Sequence, residues 1–227
     1  MRSLPLPLAL TARLTPVVVL ACAGWALSSG PESSAPAAQS KKTGRTGTQS
    51  ASAPSTSTAP KTYTAAPAPC TAVGQKTITS LVPGAKTAGK EISSTDKSVR
   101  RTCSWNALKG FDYRWLDVSF EVSESDEKAE KQYESRVKEK SGGGTVPGTG
   151  DAAYSVVNLT TEDDQKTREA MVVVRASNAL VVVTYNGSDF ESKEAPSSDE
   201  MNKGAIKAAK EAVAALGAAG STGRPPS

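Results

Sequence analysis

The stretch 29–69 constrains this chain more than any other feature. Of its 41 residues, 33 are Ala, Ser, Thr, Pro or Gly, and Tyr63 is its only large nonpolar side chain. Such a segment buries too little apolar surface to offset the entropy of ordering it, so it is expected to be a disordered linker. It divides the 227 residues into a short N-terminal piece and one region able to build a core.

The N-terminal piece, 1–28, reads as an export signal or a short membrane anchor. Arg2 and Arg13 precede an apolar run over 14–27. A run of that length spans about 21 Å as a helix, short of the roughly 30 Å of a hydrocarbon core, and suits a secretory signal better than a full span. Within it, Val19-Leu20-Ala21-Cys22 has the form of a bacterial lipobox, which makes Cys22 the candidate lipid attachment site. Ala21-Cys22-Ala23 also fits an ordinary cleavage site, and an uncleaved anchor is the third reading.

The folding region is 70–217, followed by a small, polar, proline-bearing tail over 218–227 that is expected to be disordered. Val73, Ile78, Leu81 and Val82 predict a short helix over 73–82, stopped by Pro83-Gly84. Alternation predicts strands over 99–106 and 113–122, with a turn at Lys109-Gly110. On the second strand Leu116, Val118, Phe120 and Val122 share one face, and Tyr113, Trp115, Asp117, Ser119 and Glu121 share the other.

Ser123 and Asp126 open a charged helix over 126–140, with a narrow stripe of Ala129, Tyr133 and Val137. Further strands are expected at 152–159, 171–175 and 179–185. The last two flank a hairpin signal, Ala176-Ser-Asn178, and are apolar on both faces, which predicts a central, doubly covered place in the sheet. Ser197-Ser-Asp-Glu200 is a capping box for a last helix. Its inner stripe is Met201, Ala205, Ala208, Ala212 and Leu216, with an end at Gly217. The order α-β-β-α-β-β-β-α implies an α+β fold with three helices and a mostly antiparallel sheet of about five strands.

Leu, Ile, Val and Phe total 28 of the 148 residues in 70–217, a thin core that leaves room for a covalent staple. If Cys22 is lipidated or removed with the signal, Cys70 and Cys103 remain. In an exported chain they are expected to form one disulfide, two free buried thiols being the alternative.

Several short motifs then recur in a recognisable order: Cys70 opening the domain, Cys103-Ser-Trp105 on a strand, Gly150-Asp-Ala-Ala153 opening another, Val172-Val-Val-Arg-Ala-Ser-Asn178, and an Ala-rich last helix. With the lipobox-like Cys22 and the linker, this resembles the actinobacterial lipoprotein family called domain of unknown function 3558. The resemblance covers about 70–217. It implies an exported, usually lipid-anchored α+β domain without established catalytic residues. The bulky Leu20 and the apolar run past Cys22 depart from the usual lipobox.

The chain has no histidine, which removes Ser-His-Asp and Cys-His nucleophile pairs, imidazole bases and His-containing zinc sites. Glu162-Asp-Asp164 reads as a solvated turn without an EF-hand pattern. The glycine-rich 142–150 lacks the ending of a phosphate loop and runs from helix to strand. Asp117 and Glu121, four apart on one strand face, lie about 13 Å apart, beyond either glycosidase geometry. No enzymatic activity, cofactor or metal is expected. The net charge of +4 divides into −2 on 70–217 and +6 elsewhere, so nucleic-acid binding is not expected. The Asn-x-Ser/Thr sites at Asn158 and Asn186 matter only in a eukaryotic secretory route and are set aside.

Two aromatics remain. Tyr113 and Trp115 project on one side of a strand beside polar groups, and are the candidate ligand platform, able to stack on a sugar ring or an apolar ligand. Trp105 beside Cys103 is expected in the core. The functional expectation is an exported, membrane-tethered envelope protein at the outer face of the cytoplasmic membrane, acting as a ligand-binding or accessory module. Its partners are the membrane, through the N-terminal lipid or anchor, and an envelope ligand or a membrane protein. A structural subunit of a membrane complex is the alternative, and a carboxylate-based hydrolase, with no motif behind it, is the third.

Overall fold

The computed structural model describes residues 61–222. The signal or anchor 1–28 with Cys22, the linker up to residue 60 and the tail beyond residue 222 lie outside the described residues. After a 3-10 turn at Pro69–Thr71 come α1 (Gln75–Leu81), β1 (Lys90–Ile92), β2 (Arg100–Lys109), β3 (Asp112–Val122) and α2 (Asp126–Lys138). Then follow β4 (Gly144–Thr145), β5 (Ala152–Glu162), β6 (Gln165–Ala176), β7 (Ala179–Asp189) and α3 (Ser198–Thr222).

The fold is α+β with one antiparallel sheet, as expected, but the sheet has seven strands in the order β1-β2-β3-β7-β6-β5-β4. The two extra strands form its edges, and at three and two residues they are too short to show a period in the sequence. The chain builds a meander outward to inward, β1 to β3. Helix α2 then carries it to the far edge, and a second meander returns to set β7 against β3. The apolar β6–β7 hairpin therefore lies centrally, for the reason its composition indicates.

Turn chemistry sets the registers. Gly110 (φ 65°) begins the two-residue loop between the paired Lys109 and Asp112, the II′ form that matches strand twist. Asp163 (φ 49°) and Asp164 (φ 64°) are both left-handed, as a I′ turn requires, and pair Glu162 with Gln165. The acidic cluster is thus the tip of a hairpin, and β5 and β6 extend beyond their expected ends because this turn and backbone pairing hold them.

Residues alternate across the sheet. On the core face Cys103, Trp105, Leu116, Val118, Phe120, Val172, Val181 and Tyr185 are buried with α1 and α3 in one cluster. The expected stripe of α3, from Met201 to Leu216, is buried throughout. Its small alanines let the helix lie close to the sheet. Glu211 of α3 accepts hydrogen bonds from Gly74 N–H (2.9 Å) and Thr77 Oγ1 (2.6 Å), so it also caps α1. The Cys70–Cys103 disulfide ties the 3-10 turn to the middle of β2.

On the second face, α2 packs over β6 and β7. Ala129, Leu180, Val173 and Val156 are buried there, outside the main cluster. Arg136 of α2 pairs with Glu121 at 2.6 Å, and Glu130 with Arg175 at 3.9 Å. The helix starts at Asp126 as expected, but its cap is Ser125 and not Ser123: Ser125 Oγ accepts from Lys128 N–H at 3.2 Å, while Ser123 Oγ donates to Gln132 Oε1 at 2.9 Å, and the helix ends at Lys138 after 13 residues.

Both ends of the described region depart from the sequence reading. Residues 61–69, read as linker, pack on the domain: Ala66 is buried and its N–H donates to Ser98 O at 2.9 Å. Helix α3 passes Gly217 and runs to Thr222. An interior glycine costs about 1 kcal/mol, which tertiary contact overrides. That contact is Tyr63, which lies so close that a Cβ at Gly220 would meet its Cε1 at 2.8 Å.

Candidate functional site

Helix α2 covers only part of the second face. No other described element covers the rest, and the strand registers define what stands on it. One row crosses five strands as Asn106 (β2), Trp115 (β3), Asn186 (β7), Glu169 (β6) and Asn158 (β5). The row on the α2 side is Ser104, Asp117, Thr184, Met171 and Val156. The row on the other side includes Leu108, Tyr113, Ser188 and Thr167. Phe190 stacks on Tyr113 there, with ring centroids 6.0 Å apart and planes at 28°. Gln165 Nε2 donates to Ser188 Oγ at 2.9 Å and closes the row.

Trp115 and Tyr113 do project on one side, but they differ in availability. Trp115 is 39% exposed. Its Nε1–H is shared between Ser104 Oγ (2.7 Å) and Asp117 Oδ1 (2.8 Å), two acceptors from the neighbouring row. These bonds fix the indole plane while leaving ring surface open. Tyr113 is half-buried and spends one ring face on Phe190. Trp115 is therefore the open member of the expected pair. Trp105 is a core residue at 2% exposure, its Nε1–H donating to Thr87 O at 3.0 Å.

The polar members of the Trp115 row are unspent. Asn106, Asn186, Glu169 and Asn158 have no side-chain hydrogen bond or ion pair to another described residue, although Asn186 and Glu169 are half-buried. Two depressions open at the β1 and β2 end of these rows. One, of about 560 Å³, is lined by Ile92, Thr102, Arg100 and Asp117. The other, of about 400 Å³, is lined by Lys86, Lys90, Ser104, Asn106 and Leu108. Among the described residues, six of the seven exposed large apolar side chains, Ile92, Val99, Leu108, Phe111, Trp115 and Phe190, belong to β1–β3, their flanks or the segment after β7.

The sequence singled out Tyr113 and Trp115 and missed Asn106, Asn186, Glu169 and Asn158. Their alignment depends on β7 returning to β3, which local pattern does not encode. Asn158 and Asn186 drew attention only as sequons. Among the described residues no group of three or more Cys, Asp or Glu side chains could hold a metal ion.

No family model matches the chain, and no curated protein matches it. Among solved structures, a crystal structure from Bacteroides thetaiotaomicron VPI-5482 is similar at 11% identity and a TM-score of 0.31, over 52% of this chain and 47% of that one. The chain thus spans about half the length of that protein, and a likeness of this degree carries no argument about function.

Proposed function

We propose that this is an exported envelope protein, tethered at the outer face of the cytoplasmic membrane, whose domain binds a ligand through the bare half of its sheet. One observation carries the binding part: the exposed, oriented Trp115 ring stands in a row of polar side chains that no other part of the described domain satisfies. The amides and the carboxylate beside the anchored indole are left to solvent, where a ligand's hydroxyl groups can take them up. The Cys70–Cys103 disulfide suits an oxidising compartment. No described helix is long and apolar enough to cross a membrane, so the tether rests on the N-terminal sequence and on Cys22 as the lipid attachment site. The lipoprotein resemblance supports the same anchor.

The test is tryptophan emission of the exported chain and of Trp115→Phe, titrated with wall fragments, lipid vesicles and detergent-solubilised membrane proteins. A saturable change that Trp115→Phe abolishes is expected. No response from any of them, with iodide quenching showing Trp115 to be exposed, removes the reading. Intact mass of the mature protein decides the anchor: a diacylated N-terminal Cys22 is the expected species.

The cluster of exposed apolar side chains on and beside β1–β3 favours a second reading, a subunit of a membrane complex. Crosslinking in intact cells separates the two, because a stoichiometric protein partner held through Leu108 or Phe111 belongs only to the second.

A further inference from the structure

We infer that the row Asn106–Trp115–Asn186–Glu169–Asn158 seats a glycan strand that carries carboxylates, laid across the β-strands with an acidic substituent directed to Lys86 and Lys90. This rests on the ligand-binding reading above and names the ligand class. Five strands at about 4.8 Å spacing give a row roughly 19 Å long, the form of a site for a linear polymer more than for a compact small molecule. Its centre is the Trp115 ring, locked by Ser104 and Asp117 and free to stack on the apolar face of a pyranose. Its flanks are amides, each with two donors and an acceptor, and one carboxylate that only accepts. Hydroxyl groups satisfy both kinds, since a hydroxyl donates and accepts at once.

Charge sets the orientation and the class. The 400 Å³ depression at the β2 end contains Lys86 and Lys90 and no acidic residue. Both lysines are exposed and neither forms an ion pair with a described residue. At the opposite end the row holds Glu169. A neutral glycan leaves the lysines unused. A polyphosphate backbone running along the row meets Glu169, with Asp117 beside it, as like charges. A lipid surface finds polar side chains at four of five positions. A hydroxyl-rich glycan avoids these objections where its carboxylates hang beside the strand and reach Lys86 and Lys90, clear of Glu169 and Asp117.

Calorimetry on the exported chain tests this with three soluble probes: muropeptide-bearing fragments of digested peptidoglycan, an oligogalacturonate, and a hexamer of N-acetylglucosamine as the uncharged arm. Binding of at least one carboxylated probe is expected, and which of the two binds identifies the source. Affinity is expected to fall about tenfold or more in Trp115→Ala and Asn186→Leu. The paired change Lys86→Glu and Lys90→Glu is expected to weaken the carboxylated probe by a similar factor and to leave the uncharged hexamer as it was. Asn158→Leu, at an exposed position, serves as the row variant if Asn186→Leu melts early. The inference is overturned if neither carboxylated probe binds, or if the hexamer binds equally and charge reversal changes nothing. Lipid or protein that shifts Trp115 emission while all three glycans fail overturns the glycan class and leaves the ligand-binding reading standing.

Discussion

Asn178 and Tyr63 hold each other by a reciprocal pair of hydrogen bonds: Tyr63 N–H donates to Asn178 Oδ1 at 2.9 Å, and Asn178 Nδ2 donates to Tyr63 O at 2.8 Å. Asn178 also donates to Ser123 O at 2.9 Å and is fully buried. One hairpin side chain thus joins the incoming N-terminal segment, the β6–β7 turn and the junction of β3 with α2.

Replacing Asn178 by Leu leaves three main-chain groups without this partner, Ser123 O in a buried place and Tyr63 N–H and O in partly buried ones. Each such group costs about 1–3 kcal/mol, so Asn178→Leu is expected to destabilise by roughly 3 kcal/mol or more. Urea unfolding measures it. Removing residues 61–66 is expected to lose a large part of the same stability, because two of the three bonds go with Tyr63.

The disulfide closes a loop of 33 residues in sequence, for which the chain-entropy account gives roughly 3–4 kcal/mol. The double change Cys70→Ala with Cys103→Ala is expected to lower unfolding free energy by about that amount. An equal loss on reduction of the wild type checks that the bond, and not the thiol volume, is responsible.

Gly89 sits at φ 64° just before β1, and a Cβ there would lie 2.5 Å from Trp105 Nε1 and 2.6 Å from Cys103 Sγ. Gly89→Ala meets both a left-handed backbone and a filled space, and is expected to destabilise by about 2 kcal/mol or more. A thermal melt of the variant checks it.

Gly89 also shows what local sequence withholds. Strand β1 is Lys-Glu-Ile, with no alternation to read; it is a strand because Gly89 lets it approach β2 and because Glu91 meets Arg101 at 2.9 and 2.8 Å. By contrast β3, with Leu116 to Val122 on one face, was legible from its own period, and so was the buried stripe of α3. At the candidate site the same division holds. That Tyr113 and Trp115 share a side follows from strand geometry alone. That Phe190 takes one face of Tyr113, and that Asn186 and Glu169 stand beside Trp115, follows from strand order, which is a property of the whole chain.

Tyr185 gives the fold an alkaline limit. Its hydroxyl donates to Leu81 O at 2.6 Å, and burial pushes its phenol above the ordinary value, against an opposing pull from Arg114. A phenol whose folded pKa is raised contributes stability fully present below the unfolded value of about 10, and lost as pH rises through the higher folded value. Unfolding free energy is therefore expected to fall above about pH 10, and Tyr185→Phe to flatten that fall while costing about 1 kcal/mol at neutral pH. Denaturation series at pH 7 to 11 on both proteins measure the two effects.

Trp105 and Trp115 stand on neighbouring strands with opposite duties, and stability separates them. Trp105 is 2% exposed within the main core, whereas Trp115 is 39% exposed on the bare face. Truncating a buried tryptophan costs about 3–5 kcal/mol, so Trp105→Ala is expected to unfold the domain or nearly so. Trp115→Ala removes a ring that is anchored but little packed, and is expected to cost about 1 kcal/mol or less. Side-by-side chemical denaturation decides it. A loss at Trp115 as large as that at Trp105 would make the indole a packing residue and withdraw the bare row from consideration as a binding site.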